Sequence, residues 1–212
     1  TNKIINSIAT IGSGTTVFAG SDEDGVFISL DNGTSWTAVN TGLTDIAITS
    51  LKLNGSTLYA GTKTGGVFLS SNLGASWTAV NTGLTDKNIT AIATSGTGTT
   101  IFAATDSGGV FISTNDGNTW SAIKNGLNDT VVTSLLISGS SIYAGTSTGL
   151  YKSNNNGTSW TITNLSYYIT ALTASGPTIF ATGLSGNVYV SFGSSFSVTT
   201  NTGLSTKVIL SI

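Results

Sequence analysis

Four tryptophans set the frame of this sequence. Trp36, Trp77, Trp120 and Trp160 recur at spacings of 41, 43 and 40 residues. Each closes the same octet: SLDNGTSW at 29–36, SSNLGASW at 70–77, STNDGNTW at 113–120 and SNNNGTSW at 153–160. Self-similarity at a fixed period of this size means a unit too small to bury its own faces, stacked on copies of itself. Ahead of the octets run GVFIS, GVFLS, GVFIS and GLYKS, and ahead of those VFAGS, LYAGT, IFAAT and IYAGT. Earlier still come INSIATIG, ITSLKLNG, ITAIATSG and VTSLLISG, and after each Trp runs a short segment such as WTAVN. A fifth set, ITALTASG, IFATG and NVYVS, leads into the degenerate SFGSSFS.

Each unit is therefore four short runs rich in Val, Ile, Phe, Tyr and Thr, the residues strands favour. The runs are separated by Gly and Asn, which tolerate the positive φ of tight turns. No stretch sustains a helical period of apolar residues. The expected fold is all-β: a β-propeller of about five four-stranded blades with an extra C-terminal strand. The blades are placed at 4–40, 47–81, 89–125, 131–164 and 168–201, in one domain spanning 1–212. The extra strand, TKVILSI at 206–212, follows NTGLS as AITSLKL follows NTGLT. It either docks as a closure element or begins a sixth unit of a longer array. A free strand edge there invites self-association.

Composition removes several functions. Only 8% of residues are charged, against roughly 25% in an ordinary domain. The seven basic residues are all Lys, and the formal net charge is −2. No basic stripe exists to neutralise phosphates, so no nucleic-acid partner is expected. Cys and His are absent, which excludes disulfides, the usual zinc sites, and Ser-His-Asp or Cys-His triads. No apolar run approaches the roughly 20 residues that span a bilayer, so no membrane insertion is expected. The hydroxyl- and amide-rich composition fits an extracellular or cell-surface bacterial protein.

The octet resembles S-x-D-x-G-x-T-W, the Asp box or BNR repeat of sialidase-like propellers. Similar repeats occur in xyloglucanase-type hydrolases, sortilin-type receptors and photosystem II assembly-factor-like proteins. The resemblance covers nearly the whole chain and implies a propeller. It implies a structural role for Ser29, Asp31, Gly33 and Trp36, and likewise for Ser70, Asn72, Gly74 and Trp77. The same holds for Ser113, Asn115, Gly117 and Trp120, and for Ser153, Asn155, Gly157 and Trp160. The Ser and Asp are expected to bond turn N–H groups, the Gly to take the positive φ, and the Trp to pack beneath the turn. Three octets carry Asn in place of Asp. Asn keeps the acceptor oxygen, but a catalytic carboxylate would not survive the exchange.

The resemblance also implies what a sialidase needs: three Arg gripping the substrate carboxylate, and a Tyr nucleophile helped by Glu. This chain has no Arg, and Glu23 is its one Glu. Lys cannot supply the bidentate fork. A general glycosidase needs two carboxylates across the scissile bond. Asp31 and Asp116 are assigned to the octet end of the blades. Asp22, Glu23, Asp24, Asp45, Asp86, Asp106 and Asp129 are assigned to the opposite end, where propellers commonly bind ligands. Asp45, Asp86 and Asp129 repeat blade by blade in GLTD, GLTD and GLND, which argues for turn capping.

The acidic run SDEDG at 21–25 is either a solvated turn or a contributor of oxygens to calcium. No other cofactor and no other metal is expected. In the fourth unit the NTGLTD-type loop is replaced by NLSYY, which brings in Tyr167 and Tyr168. Adjacent residues of an extended chain point opposite ways, so one tyrosine is expected inside and one outside. The pair either packs against the fifth blade or stacks on a carbohydrate. The ligand-binding candidates are thus Tyr167, Tyr168 and the seven acids of the opposite end. The function expected is a non-enzymatic extracellular binding or scaffold propeller recognising a glycan or a protein. The alternatives are a structural repeat segment of a larger surface assembly and, third, a divergent glycoside hydrolase.

Overall fold

A computed structural model of the chain describes residues 3–12, 15–95, 98–184, 186–192 and 195–198. The extra strand expected at 206–212, and the end of the last blade after Val198, lie outside the described residues. Among the described residues there is no helix, and hence none long and apolar enough to cross a membrane.

The strands form five four-stranded antiparallel sheets, each a meander in chain order. The first blade is β1 (Ile5–Ile11), β2 (Thr16–Ser21), β3 (Val26–Ser29) and β4 (Thr37–Ala38). The second is β5 (Ile48–Asn54), β6 (Thr57–Thr62), β7 (Val67–Ser70) and β8 (Thr78–Ala79). The third is β9 (Ile89–Thr94), β10 (Ile101–Thr105), β11 (Val110–Ser113) and β12 (Ser121–Ala122). The fourth is β13 (Val132–Ser138), β14 (Ser141–Thr146), β15 (Leu150–Ser153) and β16 (Thr161–Ile162). The fifth is β17 (Ile169–Ser175), β18 (Thr178–Gly183), β19 (Val188–Phe192) and β20 (Ser195–Val198). This is the all-β architecture of about five blades that the repeat predicts.

The chain falls into two packing units. One holds residues to Ala103 together with Phe111–Ser121; the other holds Ala104–Val110 and the residues from Ala122 onward. In the first unit β5 packs between β1 and β9. Phe18 and Val26 of the first blade meet Ile48, Leu51, Phe68 and Trp77 of the second in one apolar layer. Tyr59 and Val67 of the second meet Ile89, Ile92, Phe111 and Trp120 in the next. In the second unit β13 packs on β17, with Tyr143 and Leu150 against Ile169, Tyr189 and Phe196. Blades are thus apolar on both faces, which is why their strands do not alternate cleanly between apolar and polar.

The first strands of the first, second, fourth and fifth blades carry a bulge. Their registers shift between Ile5 and Ser7, Ile48 and Ser50, Val132 and Ser134, and Ile169 and Ala171. A bulge re-aims the extra residue. Asn6 Nδ2 donates to the Ile48 carbonyl, Thr49 Oγ1 to the Ile89 carbonyl, and Thr133 Oγ1 to the Ile169 carbonyl. These three bulged side chains therefore reach the following blade, whereas Thr170 pairs with Thr182 Oγ1 of its own blade.

The next residue adds a second tie. Ser7 Oγ accepts from Leu51 N–H at 2.8 Å, and Ser50 Oγ accepts from Ile92 N–H at 3.1 Å. Ser134, the counterpart in the fourth blade, has a buried Oγ with no partner. Ser50→Ala should therefore destabilise by about 1–3 kcal/mol, because it orphans a buried N–H. Ser134→Ala should be neutral or stabilising, because it deletes a desolvated hydroxyl. Urea midpoints of the two variants against the parent check the contrast; equal losses would refute it.

Candidate functional site

The octet turns close on themselves. Ser29 Oγ donates to Asp31 Oδ1 at 2.8 Å and accepts from Gly33 N–H at 2.8 Å. Asp31 accepts from Ser35 N–H at 2.8 Å and from Ser35 Oγ at 2.7 Å. The Ser35 hydroxyl, then its N–H, then the Ser29 hydroxyl hold the Asp31 carboxyl down at about 2. In the other octets an amide makes the same ring with one bond reversed. Asn72 Nδ2 donates to Ser76 Oγ, Asn115 Nδ2 to Thr119 Oγ1, and Asn155 Nδ2 to Ser159 Oγ, each at 2.9 Å. The hydroxyl that donates to a carboxylate accepts from an amide, so the turn needs no charge.

The octet glycines take the positive φ expected of them, and a second residue joins them. Gly33 has φ of 87°, but the residue before it is left-handed too. Asn32, Leu73, Asp116 and Asn156 have φ of 58°, 59°, 58° and 54°. Asn and Asp tolerate this region; a leucine does so at a cost. Leu73 is also exposed. Leu73→Asn is expected to raise stability by about 0.5–1 kcal/mol, read as a higher melting temperature.

The indoles of Trp36, Trp77 and Trp120 lie against the glycine of their own octet, but the N–H groups differ in their partners. Trp36 alone bonds its own turn, its Nε1–H donating to the Gly33 carbonyl at 3.0 Å. Trp77 donates to the Val39 carbonyl, Trp120 to that of Val80 and Trp160 to that of Ile123, at 2.8, 2.7 and 2.8 Å. These three indoles bind the preceding blade, because that is where the stacked neighbour presents an unpaired carbonyl after its short last strand.

At the opposite end of the blades the acids are held by their own chain. Asp45 accepts from Ala47 N–H through Oδ1, and through Oδ2 from Thr64 N–H, Thr64 Oγ1 and Gly65 N–H. It thereby ties the blade-to-blade link to the β6–β7 turn. Asp129 does the same with Val131 N–H, Ser147 Oγ, Thr148 N–H and Thr148 Oγ1. Asp86 accepts from Asn88 N–H. Burial pushes the Asp45 and Asp129 carboxyls up, but the hydrogen bonds win and both titrate below the ordinary value.

A carboxyl depressed in the folded state stabilises the fold above its unfolded pKa of about 3.9, and that contribution is lost as pH falls through the folded value. Urea midpoints should therefore hold steady down to about pH 5 and fall below about pH 4. Asp45→Asn should flatten that fall. An unchanged acid slope would show that Asp45 contributes nothing.

The acidic run is charge-paired. Asp22 Oδ1 lies 2.7 Å from Lys63 Nζ and accepts from Asn6 Nδ2; Asp24 Oδ2 lies 2.7 Å from Lys3 Nζ. Lys63 first, then Asn6, lowers the Asp22 carboxyl. Asp22, Glu23 and Asp24 line a small cavity of about 140 Å3 with Lys3 and Ile4. No group of three or more metal-ligating side chains converges among the described residues. Asp106 lies exposed on the β10–β11 turn.

Tyr167 and Tyr168 are not split between inside and outside: they are 60% and 37% exposed. The link holding them is bent away from an extended strand by its last turn into β17, so strict alternation does not apply. The Tyr167 ring stacks on Tyr189 of β19, centroids 5.9 Å apart and planes 10° from parallel. Tyr189 is itself buried, in the apolar layer that β19 shares with the fourth blade. The structure thus gives one firm aromatic platform in the second unit and one charge-paired acidic turn in the first.

Residues 3–128 match the model of a family described as the DUF6242 beta propeller domain. No curated protein matches. Among solved structures, the chain is similar to an ancestral GH74 enzyme, with a TM-score of 0.76 and 22% identity, over 94% of this chain and 31% of that one. It is similar to the extracellular domain of a hybrid two-component system of B. thetaiotaomicron, with a TM-score of 0.77 and 18% identity, over 98% and 30%. It is also similar to YCF48 from Cyanidioschyzon merolae, with a TM-score of 0.69 and 15% identity, over 94% and 72%. The chain spans less than a third of the length of the first two.

Proposed function

Since this chain belongs to the DUF6242 beta propeller domain family, we propose that it is a non-enzymatic extracellular binding propeller whose ligand is a glycan, taken on the Tyr167–Tyr168 loop. The observation that carries the reading is the Tyr167 ring, exposed to solvent yet braced in parallel on the buried Tyr189. A braced aromatic face offers apolar area with little ordering left to do on binding. Tyr168 beside it adds a second exposed ring and a hydroxyl for the polar edge of a sugar.

The acids support the non-enzymatic part. Asp31, Asp45 and Asp129 serve their own backbone, and Asp22 and Asp24 are each paired with a lysine. A glycosidase needs two carboxylates turned toward a scissile bond. The extracellular part is supported by the low-charge, hydroxyl-rich composition and by the likeness to the extracellular domain of a hybrid two-component system.

A glycan array probed with the full chain, with and without EDTA, tests the reading. The expected result is a hit that Tyr168→Ala abolishes without changing the melting curve. A blank array overturns the glycan ligand in favour of a protein one. Turnover of chromogenic glycosides overturns the non-enzymatic reading, and EDTA sensitivity would bring calcium to the Asp22–Asp24 turn.

A further inference from the structure

The chain contains Asn-Gly steps at Asn32, Asn54, Asn125 and Asn156, and Asp-Gly steps at Asp24 and Asp116. In such a step the glycine nitrogen can attack the side-chain Cγ of the residue before it, because no Cβ screens that nitrogen. The attack needs a glycine N–H free to lose its proton. It also needs a Cγ open to solvent, which must stabilise the oxyanion formed there. The Asn-Gly steps are chemically alike, so the fold decides which of them reacts.

All but one are blocked. Gly33 N–H donates to Ser29 Oγ at 2.8 Å, and Gly157 N–H to Ser153 Oγ at 2.9 Å. Gly117 N–H donates to Ser113 Oγ at 2.8 Å, and Gly25 N–H to the Ile46 carbonyl at 2.9 Å. Asn54 is stopped from the other side. It is buried, its Nδ2 donates to the Gly98 carbonyl, and its Oδ1 has no partner among the described residues. An oxyanion at that atom would form out of water with no donor to meet it.

Asn125 and Gly126 are both exposed. Asn125 stands where the earlier links have Thr41 and Thr82; the three residues give their carbonyls to the N–H groups of Trp160, Trp77 and Trp120 respectively. Leu127 N–H closes the turn on the Lys124 carbonyl, and Gly126 N–H has no hydrogen-bond partner among the described residues. Asn125 Nδ2 makes one long contact, 3.5 Å to the Thr158 carbonyl. We propose that Asn125 is a site of spontaneous deamidation, converted through a succinimide to aspartate and isoaspartate while Asn32, Asn54 and Asn156 stay intact. The Gly126 nitrogen gives its proton to solvent base and bonds to Asn125 Cγ. The Cγ–Nδ2 bond breaks, and Nδ2 leaves as ammonia with a proton returned by solvent. Water then opens the ring. Addition at Cγ gives aspartate; addition at the backbone carbonyl carbon gives isoaspartate, with the main chain rerouted through the side chain. The rerouted form disturbs a tight spot, since a Cβ on Gly126 would already lie 2.3 Å from the Trp160 carbonyl oxygen.

Incubation of the full chain in mildly alkaline buffer, followed by peptide mapping with tandem mass spectrometry, tests this. The expected result is conversion at Asn125 roughly tenfold or more faster than at Asn32, Asn54 or Asn156, the factor that one retained hydrogen bond is worth. The same incubation in guanidinium chloride removes the fold and should bring the four rates together. Asn125→Thr, which restores the residue of the earlier links, should abolish the main acidic product seen on ion exchange. Equal rates at the four sites in the folded chain overturn the proposal. So does an Asn125 that stays intact when folded yet converts in guanidinium chloride, and so does a main acidic product that persists in Asn125→Thr.

Discussion

Trp77→Ala should lower stability by about 3–5 kcal/mol, whereas Trp36→Ala should cost about 1 kcal/mol or less. The two residues occupy the same octet position, so sequence context does not separate them. Trp77 is buried in the layer between the first two blades, and its indole N–H holds the Val39 carbonyl. Its removal leaves a large cavity and an orphaned carbonyl together. Trp36 is half in solvent and bonds the carbonyl of Gly33, three residues before it. Chemical unfolding followed by circular dichroism reads both without relying on the fluorophore removed. Similar losses for the two would mean that the indole's work lies within the octet turn rather than between blades.

Gly42→Ala is expected to be nearly as damaging, at about 3 kcal/mol or more, from left-handed strain and overpacking combined. Gly42 has φ of 90°, and a Cβ there would sit 2.2 Å from the Trp77 carbonyl oxygen. The obstacle is backbone, and it cannot retreat, since Trp77 N–H donates to the Thr41 carbonyl at 2.8 Å. Gly55→Ala is the control. Its φ is 60°, but nothing lies within 4 Å of the added carbon, so only the conformational cost of about 1–2 kcal/mol remains. Melting temperatures of the pair give the difference directly. Equal shifts would show that the close approach to Trp77 is not what selects glycine.

The asymmetry between these two glycines also shows what a sequence displays and what it hides. The tryptophan period, the octets and the short β-rich runs were enough to lay out five four-stranded sheets, because each depends on residues near in the chain. Ties between blades were harder to see. Asn6, Thr49 and Thr133 sit on bulges, and a bulge exists only when the partner strand is one residue shorter; the recurring Asn or Thr before the third residue of each first strand was the available signal. Leu73 was invisible as a left-handed residue because its identity argues against that conformation, and the turn imposes it anyway. The octet shows indoles packing on their own turns, but not where the N–H groups of Trp77, Trp120 and Trp160 go. Only the stacked neighbour reveals the acceptor. For the site, Tyr167 and Tyr168 were legible as a departure from the repeat, but the brace from Tyr189 was not, since it lies 22 residues further along on another strand.

The direction of the indole bonds has a temporal meaning. Trp77, Trp120 and Trp160 each donate to a carbonyl that lies earlier in the chain, at Val39, Val80 and Ile123. A polypeptide leaving the ribosome exposes its N-terminal portion first, at about 5–20 residues per second. Every acceptor is therefore already outside when its donor emerges two to eight seconds later, at roughly 40 residues' distance. Each new unit can clamp onto the one synthesised before it, so the order of the code and the order of assembly run the same way.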